Sequence, residues 1–155
     1  SRPATAKRLV IPAPHRLAER RPLPANQAMA TKKLHDIAVS VETRFLDEQS
    51  KPQENHYVFA YTITIRNRGS IGARLLSRHW IITDGNGDVQ EVRGDGVVGE
   101  QPWMSPGQGY DYTSGAVLET AVGTMRGSYR MLAEDGTQFD ADIPSFVLSI
   151  PRTLH

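Results

Sequence analysis

The feature that most restricts this chain is a hydrophobic period of two. In DIAVSVETRF the residues Ile37, Val39, Val41 and Phe45 alternate with polar neighbours, and in HYVFAYTITIRN the set Tyr57, Phe59, Tyr61, Ile63 and Ile65 does the same. Successive side chains of a strand point to opposite faces, so this spacing predicts strands buried on one face. ARLLSRHWIITD reads as a third strand closed by the turn DGNG, where Asn86 with Gly85 or Gly87 supplies positive φ. The short strand DVQEVR follows it as a hairpin partner. After the breaker PGQG comes a short strand YDYTSG, and GTMRGSYRML and TQFDADIPSFVLSI flank EDG as a terminal hairpin in which Pro144 marks a break or bulge. No segment keeps a 3.6-residue period over three turns. Seven or eight short strands without crossover helices predict an all-β fold, an antiparallel two-sheet sandwich of the immunoglobulin or fibronectin type III kind. Trp80 and Tyr129 are the expected large core anchors, although the alternation of ARLLSRHWII leaves open which of its faces is inward.

The first 28 residues break this pattern. They hold five of the ten prolines and no apolar run longer than three, so they bury too little surface to fold and are expected to be a disordered basic, Pro-rich tail. Met29 just after them marks an upstream extension of the native start or added residues. The domain itself is expected to run over 29–155. Residues 1–28 carry six basic side chains and one acidic, whereas the rest carries twelve and sixteen, so the near-neutral total hides a basic tail on an acidic body. An acidic body makes a nucleic-acid surface an unfavoured expectation, despite the arginines 66, 68, 74 and 78 around NRGSIGAR. No apolar run approaches the ~20 residues that cross a bilayer, so no membrane insertion is expected. With no cysteine, the chain has no disulfide framework, thiolate metal site or Cys nucleophile, which fits a cytoplasmic location.

One motif invites a ligand. GDGVVG, residues 94–99, has the spacing G-x-G-x-x-G that cradles pyrophosphate where a strand delivers the chain into a helix N-terminus. Here EQPWMSPGQG follows, and Pro102 and Pro106 forbid such a helix. Asp95 and Glu100 would repel a phosphate, and Arg93 is the adjacent cation. Gly94, Asp95, Gly96 and Gly99 therefore stand either as a phosphate or small-ligand loop or as a sandwich loop whose glycines permit a bulge or tight path. DGNGDVQEVRGD partly imitates a calcium loop, but Val89 occupies its glycine position, so Asp84, Asp88 and Asp95 support at most weak, unspecific magnesium or cobalt binding. No certain cofactor is implied. The five histidines form no HxH, HxxxH or HExxH pattern, and Ser77 with His79 lacks any oxyanion-hole context. Trp103, in QPWMSPG, reads as an anchor for a partner or as a plug for the end of the sandwich, with Arg93 a second partner-binding candidate.

YVFAYTITIRNRG, the stretch from Trp80 through TDGNGDVQEVRGDGVVGEQPWMSPGQGYDYTSG, GTMRGSYRM and IPSFVLSIP resemble the bacterial ApaG family in order and spacing, over Ile37 to Pro151. The resemblance implies a fibronectin type III-like sandwich and a cytoplasmic protein linked by family naming to cobalt and magnesium resistance or efflux. The family's glycine motif maps onto Gly94, Gly96 and Gly99. Related domains in an F-box protein and in a DNA-polymerase-delta-interacting protein look like protein-binding modules. The resulting expectation is a non-enzymatic accessory module that binds another protein. The alternative is a sensor of a nucleotide, a phosphate or a divalent metal, and an enzyme acting on phosphorylated substrates comes last because no nucleophile, base and metal set can be assembled.

Overall fold

In the computed structural model, which describes residues 7–10 and 33–151, nine strands form two antiparallel sheets. The first sheet has the order β1 (Lys7–Val10), β7 (Gly109–Leu118), β3 (Tyr57–Asn67), β2 (Ile37–Phe45). The second runs β5 (Val89–Asp95), β4 (Ala73–Asp84), β8 (Val122–Ala133), β9 (Gln138–Ser149), and β6 (Trp103–Met104) pairs with β4 beyond the end of β5. This is the expected β-sandwich. The alternation that predicted β3 is realised: Phe59, Tyr61, Ile63 and Ile65 are all buried between the sheets.

Trp80 settles the orientation of β4. Its indole is buried and meets Tyr61, Phe146 and Tyr129 edge-on or nearly so, at centroid separations of 5.4, 5.9 and 6.5 Å. Such edge contacts suit the aromatic quadrupole and tie β3 of one sheet to β4, β8 and β9 of the other. Leu75 and Trp80 are both buried although five positions apart, because the β4–β8 register shifts between Leu75 and Ser77. That bulge at Leu76 is why the alternation of this segment is ambiguous in the sequence. A second shift, between Met125 and Gly127, faces Pro144 in β9, as the proline suggested.

The structure departs from expectation at two places. β7 continues to Leu118, beyond YDYTSG, because β3 pairs with it from Gly109 to Leu118. β6 is a strand within the proline-flanked loop. The tail expected to be disordered lies outside the described residues except for Lys7–Val10, which pair with Ser114–Val117 as an edge strand. No helix among the described residues is long and apolar enough to cross a membrane.

Candidate functional site

The glycine motif sits where β5 and β6 share one edge of β4. β5 pairs with Ser77–Thr83 and β6 with Ala73–Arg74, and the chain between them leaves the edge as a small loop opposite the Leu76 bulge. Leu76 O accepts hydrogen bonds from the Gly96 N–H (2.8 Å) and from Gln101 Nε2 (2.8 Å), so the bulge that frees this carbonyl is what seats the loop. Within the loop Val97 and Glu100 exchange N–H···O bonds of 2.8 and 2.9 Å around Val98 and Gly99, both at positive φ. A two-residue turn with two positive φ angles is the hairpin turn whose twist matches antiparallel strands. Val97 is fully buried and anchors this miniature hairpin in the core.

Each glycine has a separate steric or conformational reason. Gly96 has φ of 62°, and a Cβ there would lie 2.3 Å from the Glu100 carbonyl oxygen. Gly99 holds φ of 83° in open space. Gly94 is needed for contact: a Cβ would lie 2.5 Å from Nη2 of Arg78, whose guanidinium crosses from β4. Arg78 Nη1 donates to the carbonyls of Asp95 (2.8 Å) and Gly96 (2.9 Å). The loop is thus fastened by a cation on its carbonyls, while the amides of Gly96, Val97 and Glu100 are donated within the fold. A phosphate nest needs such amides converging on an anion. Tyr110 completes the clasp, its hydroxyl donating to Glu100 Oε2 at 2.6 Å. Burial, and then the carboxylate beside it, push this phenol's pKa well above the ordinary tyrosine value.

The three aspartates divide between two places. Asp84 Oδ1 accepts the amides of Asn86 (2.8 Å) and Asp88 (3.0 Å), closing the β4–β5 hairpin as an Asx turn. Asp84 and Asp88 lie at one end of β5 and Asp95 at the other, about 20 Å away at ~3.3 Å per residue. They cannot share one ion. Arg93 and Trp103 are also separate, opposite His79 and Arg74 on β4 and so roughly 16 Å apart by the same rise. Trp103 lies over Gly72, where a Cβ would be 2.3 Å from its ring, and the Arg74 guanidinium sits 5.9 Å from the ring centroid. Its neighbour Met104 is buried, while Trp103 itself keeps 38% of its surface exposed, so Met104 rather than Trp103 plugs this end of the core.

Two features escaped the sequence reading. The first is an open groove of about 460 Å³ on the outer face of the five-stranded sheet, lined by Arg78, Arg93, Arg130, Ser77, His79 and Ser128 among others. Ser77 and His79 do share this groove, but the imidazole is turned to Glu91, with Nε2 3.2 Å from Oε2. Arg130 pairs with Asp140 at 3.1 Å, Arg93 lies 3.7 Å from Glu91 and Asp95 also lines the groove, so its cations stand among carboxylates. The second is a row of β-branched residues across all four long strands: Val89, Thr83, Thr124 and Val147 are consecutive cross-strand partners, and Val122 lies two residues from Thr124 on the same face. Val89, Val122 and Val147 are 56, 47 and 54% exposed. Neither feature has a sequence motif, because each is assembled by strand register.

The ApaG domain model matches residues 47–133, which include β3, the glycine loop and β8. The chain belongs to the ApaG family. Protein ApaG of Azoarcus sp. (strain BH72) is 59% identical over 127 residues, covering 82% of this chain and all of the relative. Protein ApaG of Pseudomonas paraeruginosa is 62% identical over 121 residues, covering 78% of this chain and 96% of the relative. Among solved structures, the crystal structure of an ApaA protein from Bordetella pertussis superposes with a TM-score of 0.77 at 53% identity, covering 79% of this chain and all of that one. At that identity and coverage the sandwich is an architecture that this chain shares with that relative.

Proposed function

We propose that this ApaG-family protein is a non-enzymatic, cytoplasmic binding module that docks on another protein through the outer face of its five-stranded sheet. The observation that carries this reading is the row Val89, Thr83, Thr124 and Val147, extended by Val122. Exposed, contiguous, β-branched surface on a rigid sheet is unfavourable in water and complementary to a second apolar surface. The flanking row of Glu91 and Arg126 provides a charged rim of the kind that fixes orientation at an interface. The family's link to cobalt and magnesium resistance or efflux would then be exerted through that partner. The test is photo-crosslinking in cells from position 147 and, as control, from position 42 on the other sheet. A discrete adduct from 147 alone, lost when Val122→Glu is added at unchanged melting temperature, is the expected result. Equal adducts from both positions, or none from 147, would overturn it.

The groove beside Gly94 favours a second reading, a sensor of a small anion such as a nucleotide or phosphate. Arg78, Arg93 and Arg130 line it with two serines and with Asp95 and Asp140, so an anion would compete with carboxylates for the guanidinium groups. A titration with magnesium, cobalt and then a nucleotide, followed at the amides of Asp84 to Glu100, separates the two readings. Saturable shifts around Arg93 and Gly94 would favour the sensor, and shifts confined to Asp84–Asp88 would favour a weak metal site.

A further inference from the structure

The exposed strand edges of the sandwich are not protected alike. β5 carries Glu91, Arg93 and Asp95, β2 carries Glu42 and Arg44, and β9 carries Asp140, Asp142 and Pro144. Charges and proline on an edge are standard defences against pairing with another chain. β7, GYDYTSGAVL, carries one charge, Asp111, and its stretch Ser114–Val117 has neither charge nor proline and is made of small and aliphatic residues that let a further backbone come close. β3 satisfies one side of β7 along its whole length. On the other side Lys7–Val10 pairs antiparallel with it, from Lys7 opposite Val117 to Val10 opposite Ser114. This added strand opens with two basic residues, and the body after residue 28 is net acidic.

We propose that the β7 edge from Ser114 to Val117 is a strand-addition site for an extended basic–aliphatic peptide segment, and that Lys7–Val10 is its built-in competitor. The main-chain ladder supplies the attraction, and the charge difference between segment and body selects a basic strand. Four paired residues make a short ladder, so the contact is displaceable, and a partner segment sees an affinity reduced by the fraction of time the edge is occupied. Lys7–Val10 lies outside residues 47–133, which the family model matches, and acts on the site from the basic N-terminal segment. The site uses a different edge from the outer face proposed for docking above, so either proposal survives failure of the other.

The test uses the full chain and the variant Leu9→Pro, which removes a backbone donor from the tail strand. The probe is a fluorescein-labelled synthetic peptide of residues 5–11, TAKRLVI, followed by anisotropy. The variant is expected to bind it at least tenfold more tightly than the wild type. Amide exchange within 114–117 should be slow in the wild type, faster in the variant, and slow again when the peptide is added. Equal affinity for both proteins, no binding to either, or peptide-induced protection on β5 in place of β7 would overturn the proposal. Protection of 114–117 that appears only as a dimer forms would overturn it too, by showing the tail on a second copy.

Discussion

The two ends of β5 look alike in sequence and are built in opposite ways. Before it stands DGNGD and after it GDGVVG, each a short run of glycine and aspartate. At the first, one carboxylate accepts the amides of Asn86 and Asp88, and a single outside bond, from the Gly85 N–H to Thr120 Oγ1 at 2.8 Å, ties the turn to the rest of the fold. At the second, a guanidinium from β4 donates to two backbone carbonyls, Leu76 O seats the loop, and Tyr110 secures its far side. One turn is held mainly by its own residues, the other by three segments that meet only in the folded sheet. A glycine motif is therefore a statement about backbone paths, and its chemistry depends on which groups the fold brings to it.

That contrast can be tested from its strongest consequence downward. Gly96→Val forces a β-branched residue to φ of 62° and against the Glu100 carbonyl, and should cost about 3 kcal/mol or more in chemical denaturation. A small stability loss with a large binding defect would instead return the loop to a ligand role. Gly94→Ala should cost about 2 kcal/mol, because the Arg78 guanidinium must leave its two carbonyls. Combined with Arg78→Met, its effect should be well short of additive in a double-mutant cycle, and full additivity would detach Arg78 from the loop. Asp84→Ala should cost about 1 kcal/mol by removing the one oxygen that accepts two amides, while Asp84→Asn, which keeps an oxygen, should cost less. Equal losses in the two variants would show that the charge, and not the Asx geometry, holds the hairpin.

Tyr110→Phe acts mainly through pH. The folded-state pKa of this phenol is raised, so its contribution is fully present below the unfolded value of about 10 and is lost as pH rises towards the folded value. The variant should therefore show a flatter fall of stability above pH 10, and an unchanged slope would mean that Tyr110 does not titrate with unfolding. The smallest effect belongs to Gly99→Asn, within about 0.5 kcal/mol of the parent in a thermal melt, since asparagine tolerates positive φ and nothing lies within 4 Å of a Cβ there.

The sandwich was legible in the sequence because period-two alternation is a local property of a strand with one wet face, and β3 shows it from Tyr61 to Ile65, whereas Val58 and Ala60 are buried on its other face. β4 was only half legible, since the bulge at Leu76 displaces its inward set by one position. The Asx turn was legible as a turn for the same local reason. Arg78 was visible only as one of four arginines near a hairpin, because nothing in ARLLSRHW says that Gly94 will be its cross-strand partner. Val98, a β-branched residue at φ of 43°, is held by packing against the core, which no turn rule anticipates.

By itself, then, the sequence determined most of the strands, Trp80 as a core anchor and the β4–β5 turn, which rest on the local residue pattern, while its resemblance to the ApaG family rests on several separate motifs in order. The tertiary structure alone decided that the three aspartates are split between the two ends of β5, that the glycines answer to Arg78 and Glu100, and that Val89, Thr83, Thr124 and Val147 form one row. Those outcomes depend on register between strands far apart in the chain, and a register is fixed by the packing of the whole core.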